Sequence, residues 1–166
     1  MNSKRLFAII LSLVFVTAGA MAQQDQAQLN SKTVVPSWAK KTSTGEAVFE
    51  NPMEMPRFPG CEHLAQEERY PCSINRLAEF IGKEVKYPAA AKEQKVEGTV
   101  LVEFVVDRNG SVIDAKVKKS VSASLDAEAL RVVRKMPKWI PGKEEGTIVN
   151  SLMTFPIKFQ LSTANQ

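Results

Sequence analysis

Between Gly98 and Gly110 the chain reads GTVLVEFVVDRNG, and its alternate positions sort into two sets. Val100, Val102, Phe104 and Val106 share one face of an extended strand, because side chains alternate with period two. Thr99, Leu101, Glu103 and Val105 share the other, which is half apolar as well. A stretch this rich in β-branched and aromatic residues predicts a strand covered on one face and partly sheltered on the other. Asp107-Arg108-Asn109-Gly110 ends it, and Asn109-Gly110 supplies two residues that tolerate positive φ, a strong hairpin signal. A second strand is expected from Val112 to about Ser120, so the pair forms the nucleus of a small antiparallel sheet.

Elsewhere the period changes to that of a helix. Ile74, Leu77 and Ile81 recur at helical spacing with Phe80 beside them, predicting a helix after Cys72, capped by Ser73 and ended by Gly82. Pro88 suits the first turn of a shorter helix that runs through Ala89 to Gln94 and stops near Gly98. Leu125, Ala129, Val132, Val133 and Met136 form one apolar stripe, with Ser124 as the expected cap and Asp126 in the positive first turn. Arg131, Arg134 and Lys135 then face water, and Pro137 stops the helix.

Trp139-Ile140-Pro141-Gly142 turns the chain toward a final strand from about Thr147 to Leu161, with Met153, Phe155, Ile157, Phe159 and Leu161 on one face. Pro156 has no backbone donor, so that part of the strand belongs at an edge or a bulge. An unprotected edge attracts another strand. The plain reading is a self-covered edge; the functional reading is a partner peptide added as a further strand.

The N-terminus carries different information. Residues 1–22 read as a signal peptide: Lys4 and Arg5 are the positive region, Leu6 to about Thr17 is apolar, and Ala20-Met21-Ala22 is a cleavage site. The rival is an uncleaved anchor, although the run from Leu6 to Ala22 is marginal for a helix needing roughly 20 residues to span a bilayer. Residues 23–55 are polar and aperiodic, a linker or loosely ordered stretch. Within it Val34, Val35, Trp38, Val48 and Phe49 are candidates to pack on the domain or to add an edge strand. Residues 56–83 form a lead-in segment and helix that contain both cysteines, and 162–166 are a tail.

Charge changes this picture little. Of the 22 basic residues, 20 remain once Lys4 and Arg5 are removed, against 18 acidic ones, so nothing points to nucleic acid. In an exporting compartment Cys61 and Cys72 are expected to form a disulfide that stabilises by roughly 3 kcal/mol. The alternative is thiol or metal chemistry by Cys61, His63 and Cys72, but three ligands at irregular spacing fall short of a zinc signature. The single histidine lies beside that pair, and the chain has no phosphate-binding glycine loop. No catalytic set, cofactor site or metal site is expected.

The order of motifs resembles the TonB C-terminal domain. Tyr87-Pro88-Ala89, Glu97-Gly98-Thr99-Val100, Phe104-Val105-Val106, Asn109-Gly110, Val117-x-x-Ser120, Leu125-Asp126-Ala127-Glu128-Ala129-Leu130, Trp139-Ile140-Pro141-Gly142 and Phe155-Pro156-Ile157-Lys158-Phe159 carry the likeness. It covers residues 84–161. It implies an α+β fold: a small three-stranded antiparallel sheet packed against two or three helices, with a flexible N-terminal extension. It also implies a non-enzymatic module at the Gram-negative cell envelope, which binds the TonB box of outer-membrane transporters as an added strand.

Carried over by position, Glu84, Val85, Lys86, Tyr87 and Pro88 correspond to the segment near the box. The receiving strand lies within Ile148 to Leu161 and supplies Leu152, Met153, Thr154, Phe155 and Ile157. The best-known members have Gln-Pro where this chain has Glu84-Val85. If residues 1–22 are cleaved, the resemblance implies a soluble periplasmic member. If they are retained, it implies an anchored energy transducer that meets inner-membrane motor proteins. Strand exchange into a homodimer is a further implied partner mode.

Overall fold

The structure is a computed structural model that describes residues 40–161. The signal-peptide reading of 1–22, the candidates Val34, Val35 and Trp38, and the tail 162–166 lie outside the described residues.

The long strand of the opening motif is β2, Gly98–Val106, and it pairs antiparallel with β3, Val112–Lys119. Of the turn pair only Gly110 takes positive φ, at 79°; Asn109 does not. Asp107 organises the turn instead, its Oδ1 accepting from the N–H groups of Asn109 at 2.8 Å and Ser111 at 2.7 Å. On its other side β2 pairs with β5, Thr147–Phe159, in an unbroken register from Gly98–Phe159 to Val106–Ser151.

Two short strands complete the sheet. β1, Val48–Phe49, lies parallel to Asn150–Ser151, and β4, Gly142–Glu144, pairs antiparallel with Thr147–Val149. The order is therefore β1-β5-β2-β3 with β4 beside β5, which makes five strands among the described residues rather than three. At two and three residues, β1 and β4 are too short to show any period. Val48 and Phe49 do add an edge strand, the alternative that the linker reading left open.

Among the described residues three helices accompany the sheet: α1, Gln66–Glu84; α2, Ala89–Glu93; and α3, Ala123–Arg134. The apolar stripe of α3 is buried as its spacing predicts, with Leu125, Ala129, Val132 and Val133 fully covered. Its cap is Ser122, not Ser124. Asp126 accepts from Val121 N–H at 3.1 Å and from Ser120 Oγ at 2.5 Å, which turns the approach earlier.

α1 starts seven residues before the expected cap at Ser73 and runs through Gly82. Ser73 is buried inside it, where its hydroxyl accepts from Phe58 N–H at 2.5 Å. A tertiary partner thus uses the hydroxyl that local reasoning assigned to a helix start.

One sheet face and the helices enclose the core around Phe104, Phe159, Ile157, Leu77 and Leu125. Phe58 and Trp139 extend it toward the lead-in segment, their rings edge-on with centroids 5.5 Å apart. The opposite face is sheltered by a hairpin in which Val48 N–H donates to Lys40 C=O at 2.9 Å. On that face Glu103 is buried and bonded by Lys116 and Lys118 at 3.1 and 3.2 Å. Burial pushes its carboxyl up, and the two lysine bonds more than offset this, holding it below the ordinary glutamate value.

Candidate functional site

The edge of β5 changes character at Leu152. Before it, β1 pairs with Asn150–Ser151 on the side away from β2, and β4 pairs with Thr147–Val149; from Leu152 to Phe159 its only strand partner among the described residues is β2. Pro156 sits in this open half, opposite Leu101. An unbroken ladder requires its nitrogen to face away from β2, since proline has nothing to donate. By strand alternation Leu152, Thr154 and Lys158 then also present their N–H and C=O groups outward. The result is a short row of backbone donors and acceptors without a backbone partner among the described residues, interrupted by one missing donor.

The expected side chains of β5 divide between two surroundings. Met153 and Ile157 belong to the core; Ile157 is fully buried, while Met153 also borders a groove beside the edge. Phe155 packs on the same core while half-buried. Leu152 is half-buried and Thr154 exposed, both on the opposite face beside the open edge.

The segment Glu84–Pro88 lies elsewhere. Its polar groups are tied to α3: Arg131 Nη2 donates to Glu84 C=O at 2.6 Å, and Lys86 N–H donates to Glu128 Oε1 at 2.6 Å. Glu128 also receives Arg131 through both Nε and Nη2, and Lys135 pairs with Glu84 at 2.6 Å. The Arg131 bond chiefly holds the Glu128 carboxyl below its ordinary value, and the Lys135 bond does the same for Glu84. Val85 is half-buried against the core, and Pro88 precedes α2 as its cap. Tyr87 alone reaches β5, its ring edge-on to Phe159 at 5.9 Å while its hydroxyl donates to Val96 C=O. Tyr87 therefore approaches β5 at its Phe159 end, away from Leu152–Thr154.

Residues 83–161 match the family model for the Gram-negative bacterial TonB protein C-terminal. This stretch is a TonB C-terminal domain. Two NMR solution structures of the Helicobacter pylori TonB C-terminal domain are similar to the chain. One is 29% identical and covers 54% of this chain and 94% of its own, with a TM-score of 0.41. The other, a longer fragment, is 24% identical over 61% of this chain and 87% of its own, with a TM-score of 0.42. No curated protein matches.

Several features of the structure fall outside the stretch matched to the TonB C-terminal domain. They are β1, the lead-in segment and α1 up to residue 82. Cys61 and Cys72 are bonded to each other within that part, with Cα atoms 6.1 Å apart, and His63 beside them is exposed. The pair is thus committed to a cross-link between the lead-in segment and α1. Tyr70 and Met55 line a groove with Leu152–Thr154, and Arg57 lines the neighbouring groove that shares them; no motif or period marks these residues in the sequence.

Proposed function

We propose that the chain is a non-enzymatic periplasmic module that binds extended peptides, the TonB boxes of outer-membrane transporters, as a strand added to the open edge of β5. This links it to energy-dependent transport across the outer membrane. The observation that supports the reading is a free strand edge, Leu152 to Phe159, within a TonB C-terminal domain, a non-enzymatic family associated with outer-membrane transport. Backbone hydrogen bonds supply affinity in this mode, and pockets for alternate side chains supply selectivity. Titration of the full chain with TonB-box peptides tests it; no binding up to millimolar concentration overturns it.

The N-terminus decides how the module is deployed. Among the described residues no helix is long and apolar enough to cross a membrane. N-terminal sequencing of the exported protein that begins at Gln23 makes it a free periplasmic binder. Retention of Leu6–Ala22 makes it an anchored transducer instead.

A further inference from the structure

The open half of β5 is flanked by a wall that the TonB-matched stretch does not supply. At Leu152–Thr154 the edge borders a groove of ≈ 320 Å³ whose far side includes Met55 and Tyr70. The same two residues border a second groove of ≈ 470 Å³, which adds Arg57, Arg69 and Lys143. The two grooves share Met55 and Tyr70; the one along the edge also carries Lys40, Lys118 and Glu50, and the other is the more basic.

Each part of the wall is held rigidly. Arg57 exchanges two backbone hydrogen bonds with Ile140, each at 2.9 Å. The start of α1 is fixed to the lead-in segment by the Cys61–Cys72 disulfide and the Ser73–Phe58 bond. Tyr70 is nevertheless 43% exposed and nearby Met53 72% exposed, large apolar groups on a firm support. Three cations line the second groove with one carboxylate, Glu54, which pairs with Lys143 at 3.5 Å; Glu62 lies close enough to feel the charge of Arg57 without an ion pair. Among the described residues neither Arg57 nor Arg69 is ion-paired; Arg69 spends Nε on Leu64 C=O and keeps its terminal nitrogens.

Scattered surface arginines are ordinarily just solvated. Here two guanidiniums without an ion pair among the described residues line a groove that shares Met55 and Tyr70 with the groove along the strand edge. We propose that this wall selects among incoming strands: it takes an extended peptide whose end beside Leu152 carries a carboxylate, held by Arg57 and Arg69 after passing Tyr70. This rests on the strand-addition reading above. Guanidinium–carboxylate pairing is geometrically specific, and the aromatic body gives the preceding side chain a surface to cover.

The test uses the full chain and two labelled octapeptides of alternating threonine and valine, one with glutamate at both ends and its twin with glutamine there. Anisotropy titration at low salt is expected to show the acidic peptide binding about three- to ten-fold tighter, a margin that shrinks as salt rises. The double substitution Arg57→Gln/Arg69→Gln should erase that margin and leave the neutral twin unchanged; a thermal melt verifies its fold. Equal affinity of the twins for the unaltered chain overturns this proposal and leaves strand addition standing. If neither peptide binds, or backbone N-methylation of the peptides makes no difference, strand addition fails and the selectivity proposal with it. A dimer that the double substitution dissolves reassigns the wall to a second copy of the chain and overturns it too.

Discussion

The carbonyl of Gly110 accepts the backbone N–H of Trp139 at 2.8 Å, and a Cβ on Gly110 would press into the Trp139 carbonyl oxygen. The β2–β3 turn and the segment after α3 are locked together through a position where φ is 79° and no side chain fits. Trp139 in turn stacks edge-on against Phe58 and Phe104, so this contact seats the ring that joins the lead-in segment to the sheet.

Gly110→Ala combines left-handed strain with a backbone clash and is expected to cost about 3 kcal/mol. Gly146→Ala is its control: φ is 78°, but nothing lies within 4 Å of the added carbon, so strain alone applies, about 1 kcal/mol. Urea unfolding of both variants at unchanged m checks the difference. Equal losses would remove the packing role given to Gly110.

The ties between the Glu84–Lys86 segment and α3 should be visible as pH dependence. Glu84 and Glu128 have carboxyls held below the ordinary value of 4.5, by bonds from Lys135 and Arg131 respectively. A depressed folded-state pKa contributes stability above the unfolded value, and that stability is lost as pH falls through the folded one. Unfolding free energy should therefore be flat near neutrality and fall below about pH 4.5. Glu128→Gln should cost about 1–2 kcal/mol at pH 7 and give a shallower acid limb. An unchanged acid slope in that variant would contradict the assignment.

The disulfide carries a prediction for the lead-in segment. Thiol titration of the unreduced protein should find no free cysteine, since both are in the Cys61–Cys72 bond. Cys61→Ser/Cys72→Ser should lose about 3 kcal/mol in the loop-entropy account. Hydrogen exchange should show the first turns of α1 opening before β2 and β5. Uniform loss across the chain would mean that the cross-link supports the whole fold rather than the wall beside the edge.

Much of the fold was legible because its signals are local. β2, β5 and α3 each repeat an apolar period over nine or more residues, and the structure keeps those faces in the core. The failures share a cause. Ser73 looked like a cap but serves Phe58 from inside α1, and β1 is a two-residue strand that exists only because Asn150–Ser151 receives it. The Glu145-Gly146 turn before β5, with φ of 48° and 78°, went unread because glutamate is an unusual first turn residue. For the site, Pro156 located the open edge from sequence. Arg57, Arg69 and Tyr70 were not findable, since only folding brings the lead-in segment to that edge.

The central claim is strand addition at Leu152–Lys158, and backbone NMR tests it most directly. With a TonB-box peptide added to the labelled full chain, the amides of Leu152, Thr154 and Lys158 should shift and gain exchange protection, while those of Val48–Phe49 stay paired as they are. N-methylating alternate peptide nitrogens should abolish the effect in one register and spare it in the other. Binding that leaves the three edge amides unprotected, or that perturbs only Glu84–Pro88, would contradict the account.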